Sequence, residues 1–221
     1  MPRDPFTPFA SPWVVLPADD IDTDQIIPAR FLTTTQRSGL GPHAFHDWRY
    51  RGDGSPDPAF ALEQARARGA SILVAGRNFG CGSSREHAVW ALLGAGIRAV
   101  VSTSFADIFR GNALGNGLLP IEVDAEVVQA LMNPTAHEPG ATLGVDLAAR
   151  TLTLPDGTSL VFPVPPFARH CLLEGIDEME FLLGAQAEIA AFEARHAQRV
   201  RTGVPEREAT SEPVVGAGGR A

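Results

Sequence analysis

The chain has 221 residues, 44% of them hydrophobic, and carries a formal net charge of −8. That acidic balance lacks the basic footprint of a nucleic-acid binder, and no apolar run approaches the ~20 residues of a membrane helix, so neither nucleic acid nor membrane is an expected partner. All eighteen basic residues are arginine, which excludes a Schiff-base lysine and the lysine of a phosphate loop.

In chain order, residues 13–16 read as a first short strand, and residues 19–24 as an acidic loop. Residues 28–50 are mixed, with turn signals at Ser38-Gly39 and Gly41-Pro42, and residues 51–58 form a Gly/Pro/Asp loop. Residues 60–68 predict a helix stopped by Gly69. Residues 71–75 are a buried strand, 76–82 a glycine-rich loop, 84–93 a helix, 98–102 a second buried strand, 105–114 a helix and 118–123 a third strand. This alternation implies parallel βαβ units. Residues 124–132 predict a helix. Residues 141–161 predict an antiparallel hairpin turning at Pro155-Asp156-Gly157, and residues 163–166 a stiff connector. Residues 170–195 read as helical in two pieces around Gly175-Ile176-Asp177. From Arg199 the Gly, Pro, Glu and Arg content reads as a disordered tail. The expected organisation is one domain over 1–198 and a tail over 199–221.

Chemistry concentrates in Gly80-Cys81-Gly82-Ser83-Ser84-Arg85-Glu86-His87, between a buried strand and a helix start. Unpaired amides and the helix dipole make such an end an anion site, and Arg85 can clamp a carboxylate. A plainer reading is a capping box, with Ser83 as cap and Glu86 reaching back. Other motifs fail: Arg85 stands where a serine-hydrolase elbow or a dinucleotide fingerprint needs glycine, and there is no lysine for a phosphate loop. Cys81 could be an activated thiolate, although a small loop cysteine is the commoner case. Asp20, Asp22 and Asp24 open like a calcium loop, but Gln25 and Phe31 occupy the positions that need Gly and Glu. His43 and His46 read as a surface pair. Cys81 and Cys171, the chain's two cysteines, give no disulfide framework and too few thiolates for an iron–sulfur cluster. With no secretory signal after Met1-Pro2-Arg3, a cytoplasmic setting is expected.

The segment from Asn78 through Ala88 resembles the swivel domain of the aconitase superfamily. Asp22-Thr23-Asp24-Gln25-Ile26-Ile27-Pro28-Ala29-Arg30-Phe31-Leu32 resembles the loop after the first strand of its stand-alone small subunits. The segments Phe105 to Ala113, Gly117-Leu118-Leu119-Pro120, Pro163 to Gly175 and Glu188 to Glu193 resemble, in order, the rest of the bacterial 3-isopropylmalate dehydratase small subunits. The resemblance covers residues 10 to 196. It implies an α/β fold, a swivelling three-layer β/β/α domain. It also implies a large-subunit partner carrying a 4Fe-4S cluster, with no cofactor or metal on this chain, and a small dicarboxylate substrate at the subunit boundary. The reaction would exchange 2- and 3-isopropylmalate through isopropylmaleate in leucine biosynthesis. By motif match, Ser83 is the base and Arg85 its catalytic partner, with Ser84, Gly82, Asp24 and Thr33 binding substrate. A sister hydratase, such as homoaconitase or citraconate hydratase, and a non-catalytic anion-binding module are the alternatives.

Overall fold

The computed structural model describes residues 4–33, 36–67, 69–133 and 140–196. The expected tail from Arg199 lies outside these residues. The chain divides into two compact units, Met1–Phe181 and Leu182–Ala221.

In the first unit, β1 (Phe9–Ser11) and β2 (Trp13–Leu16) are separated only by Pro12. Proline has no N–H to continue a ladder, and the two strands enter different sheets. The expected acidic loop runs into a short helix, α1 (Thr23–Ile26). Its N-cap Asp22 and Gln25 form a reciprocal capping box at 2.8 and 2.9 Å. Then come α2 (His46–Arg49), α3 (Ala61–Ala67), β3 (Ile72–Ala75) and α4 (Glu86–Gly94). The βα alternation goes on through β4 (Ala99–Ser102), α5 (Asp107–Asn116), β5 (Leu119–Glu122) and α6 (Ala125–Met132).

The expected hairpin is a three-stranded meander: β6 (Leu143–Asp146), β7 (Thr151–Thr153) and β8 (Ser159–Val161). The turn at Gly157 joins the last two strands, and a second turn at residues 147–150 supplies the extra reversal. The C-terminal helical region has three pieces rather than two: α7 (Pro166–Glu174), α8 (Glu178–Gly184) and α9 (Gln186–Arg195). Pro166, read as connector, is the first residue of α7, where its missing N–H costs nothing.

The strands form two sheets, β1-β6-β7-β8 antiparallel and β2-β3-β4-β5 parallel. Alternation along the parallel strands splits their side chains between two cores. Trp13, Ile72, Val74, Ala99, Val101 and Ile121 pack with Leu143, Val145 and Leu152 of the antiparallel sheet. Val14, Leu16, Leu73, Ala75 and Val100 pack with Val89, Leu92 and Phe109 of the helices. This is the three-layer β/β/α arrangement that the resemblance implied. Leu73 has no exposed surface, so its truncation to alanine should cost about 2–5 kcal/mol. No helix of the described residues is long and apolar enough to cross a membrane.

Candidate active site

The segments that follow β2, β3 and β4 meet beyond the carboxyl edge of the parallel sheet, where open α/β sheets place their ligands. Isolated parallel bridges, Asp22 with Cys81 and Phe79 with Phe105, carry the sheet pattern into these loops. Gly80 N donates to Ile21 O at 2.7 Å, Thr23 N to Cys81 O at 2.9 Å and Phe79 N to Ser104 O at 3.1 Å. Gly80 adopts φ +78°, and a side chain there would run into the Phe109 ring. Gly82 adopts φ +89°. Both glycines therefore meet a conformational requirement.

Ser83 N donates to the Thr23 hydroxyl at 3.1 Å, and Thr23 is 1% exposed. Thr23 thus grips the loop on both sides of Gly82, while the Ser83 and Ser84 side chains stay exposed. The capping reading of Ser83 does not hold. Helix α4 begins two residues later than expected, at Glu86; its N-cap is Arg85, in extended conformation, and no side chain caps it. Ser83 O instead accepts from Arg85 N at 2.9 Å. Glu86 does not reach back to the loop; its Oε1 accepts from Asn116 Nδ2 at 2.9 Å. Helix α4 therefore presents an entry without a side-chain cap, preceded by two serines and an arginine.

The Arg85 guanidinium donates through Nη1 to Asp24 Oδ1, joining the loop after β2 to the loop after β3. Arg85 is partly shielded and Asp24 exposed. The structure therefore brings Gly82, Ser83, Ser84, Arg85 and Asp24 into one neighbourhood. Thr33 is exposed, two residues beyond a 3-10 turn over Ala29–Phe31. There Phe31 stacks on His43 with ring centroids 4.0 Å apart and lies 4.8 Å beneath the Arg30 guanidinium, which binds Asp47. His43 and His46 are thus not a simple surface pair: both are half-buried and pack against Phe31. Burial, with His46 and Arg30 nearby, pushes the His43 imidazole below its ordinary pKa.

Cys81 is the opposite of an activated thiolate. Its Sγ donates to Asp20 O at 3.2 Å. Burial, then the charges of Asp22 and Asp20, push the thiol above its ordinary pKa. Cys171 is buried in α7. These two sulfurs do not fit the four-thiolate set of an iron–sulfur cluster. Among the described residues, no group of three His, Cys, Asp or Glu side chains is placed to hold a metal ion. Two residues that hold this neighbourhood have no role assigned from sequence: Thr23, which lies inside the acidic segment, and Asn116, which lies outside every motif. A threonine after a capping aspartate and an asparagine before a helix-ending glycine look ordinary until the loops are brought together.

A parallel sheet backed by an antiparallel one, with a glycine–serine–arginine loop at the carboxyl edge, defines a swivel domain of the aconitase class. Residues 13–126 match the family model described as Aconitase C-terminal domain, and residues 129–166 match the one described as LeuD_N. The chain is 57% identical over 189 residues to the 3-isopropylmalate dehydratase small subunit of Roseiflexus sp. (strain RS-1), covering 86% of this chain and 93% of that one. The small subunit of Chloroflexus aggregans is 52% identical over 201 residues, covering 91% and 98%. The crystal structure of a 3-isopropylmalate dehydratase (leuD) from Methanocaldococcus jannaschii superposes with TM-score 0.60 at 29% identity, covering 84% of this chain and 99% of that one. The chain belongs to the family of 3-isopropylmalate dehydratase small subunits, and it is a subunit of a hydro-lyase that has a large-subunit partner.

Proposed function

We propose that this chain, joined to its large subunit, exchanges 2-isopropylmalate and 3-isopropylmalate through isopropylmaleate in leucine biosynthesis. The observation that carries the reading is the Ser83-Ser84-Arg85 segment, held by Thr23 on one side and leading into the uncapped entry of α4 on the other.

Dehydration removes a proton from carbon beside a carboxylate and expels hydroxide. Ser83 Oγ is the base for that proton. An alkoxide is costly in water, but oriented amides and a cation stabilise it once the partner closes the site against solvent. The first turn of α4 supplies the dipole, and Arg85 the cation. The side of the Arg85 guanidinium not taken by Asp24 holds a substrate carboxylate. Gly82 and Ser84 line the same approach, and Thr33 faces the substrate's variable group. Because the cysteines of this chain do not fit a cluster, the 4Fe-4S group belongs to the large subunit, where its open iron would act as Lewis acid on the departing hydroxyl. The reading places the enzyme in the reducing cytoplasm.

The test is reconstitution. The purified chain alone should bind no iron and turn over no isopropylmaleate, and addition of a cluster-loaded large subunit should produce hydration. Substantial turnover by the chain alone would refute the proposal.

A further inference from the structure

Asn116, the last residue of α5, is buried and takes no part in the chemistry proposed above. Its Oδ1 accepts from Trp90 Nε1 at 2.9 Å, and its Nδ2 donates at 2.9 Å to both Glu86 Oε1 and Asn112 O. Both amide protons and the carbonyl are therefore engaged. Glu86 and Trp90 are four residues apart, so they share one face of α4. One buried amide of α5 thus holds α4 at two points, Glu86 in the first turn and Trp90 at the start of the second.

Two consequences follow from chemistry. The entry of α4 has no side-chain cap, and the loop before it contains glycines at positive φ. The position of the first turn is therefore set from outside the helix. Glu86 also carries a negative charge at the helix end where a substrate carboxylate is to bind. Left free, that carboxylate would compete for the same amides and the same Arg85. The bond to Asn116 draws it toward α5 instead.

We infer that Asn116 is a positioning residue: by holding Glu86 it keeps the first turn of α4 open to the substrate carboxylate. This inference rests on the anion-binding role proposed above.

The experiment uses the reconstituted two-subunit enzyme with 2-isopropylmalate. Asn116→Asp keeps the shape of the side chain and its acceptor for Trp90, but sets a carboxylate against Glu86. KM should rise about tenfold, the scale of one hydrogen bond to a charged group, while kcat changes much less. Adding Glu86→Gln reverses donor and acceptor across the same contact, and KM should return close to the unmodified value. A purely structural Asn116 would lower the melting temperature without separating KM from kcat. An unchanged KM in Asn116→Asp, or a double variant with KM as high as the single one, overturns the inference and leaves the dehydratase reading intact. That reading fails separately if the unmodified pair does not turn over isopropylmalate. Should Asn116→Asp not fold, the comparison moves to Asn116→Ala, whose KM must fall when Glu86→Gln is added; no fall overturns the inference.

Discussion

The carboxylate of Asp24 binds the guanidinium of Arg85, and this pair fastens the loop after β2 to the entry of α4. The two residues lie 61 positions apart in sequence. The contact therefore exists only because β2 and β3 run parallel side by side and release their loops at the same edge.

Asp24→Asn should separate orientation from stability. An ion pair this accessible contributes only about 0–1 kcal/mol. The melting temperature of the small subunit should therefore move by no more than a few degrees. Arg85 would lose the partner that aims it, and misplacement of this kind costs up to about a hundredfold in rate. Thermal melting and steady-state kinetics on the same preparation read both effects. A large melting shift with unchanged kcat would make the pair a structural tie only.

Cys81 should behave as a suppressed thiol. Raising a thiol pKa disfavours the thiolate, the form that reacts with alkylating agents. Because burial and the charges of Asp22 and Asp20 raise it, the thiolate fraction at neutral pH is below that of an ordinary cysteine. The rate of Cys81 alkylation should climb only at pH above the ordinary thiol range, and Cys81→Ala should retain turnover in the reconstituted enzyme. Rapid alkylation at neutral pH would contradict the electrostatic account.

The βαβ core was legible because its signals are local. Short apolar runs such as residues 71–75, bounded by glycines, read directly as buried strands. The glycine–serine–arginine loop was also visible, since its composition exceeds what a helix cap needs. Pairings between distant segments were not visible. The sequence around Ser83 reads equally well as a capping box, and only the position of Asn116 on α5 explains why Glu86 turns away from the loop. By contrast, the spacing of Asp22 and Gln25 that starts α1 is a local capping-box signal, masked by the acidic run around it. The split of the C-terminal helical stretch into three pieces is not legible either, since no proline or strong polar break marks the boundary near Gly184-Ala185.

Substrate choice should respond to Thr33. Threonine offers no charge, and burying an unpaired carboxylate is costly. The unmodified enzyme should therefore prefer isopropylmalate to homoaconitate-type substrates, which carry an additional carboxylate. Thr33→Arg should shift kcat/KM toward the latter. Discrimination against citraconate, which differs in apolar size, should be weaker, since a methylene is worth only ~1–3 kcal/mol. Ratios of kcat/KM for the three substrates, before and after the substitution, give the answer. No shift with Thr33→Arg would remove this residue from the specificity of the site.

The central claim is that Ser83 acts as a base and not as a helix cap, and Ser83→Ala in the reconstituted enzyme tests it most directly. The hydroxyl makes no capping bond to α4, so the melting temperature of the variant should match that of the unmodified subunit. Loss of a positioned base should lower kcat by roughly 10²–10⁴-fold. Near-normal kcat in the Ser83→Ala enzyme, whatever its melting temperature, would contradict the account.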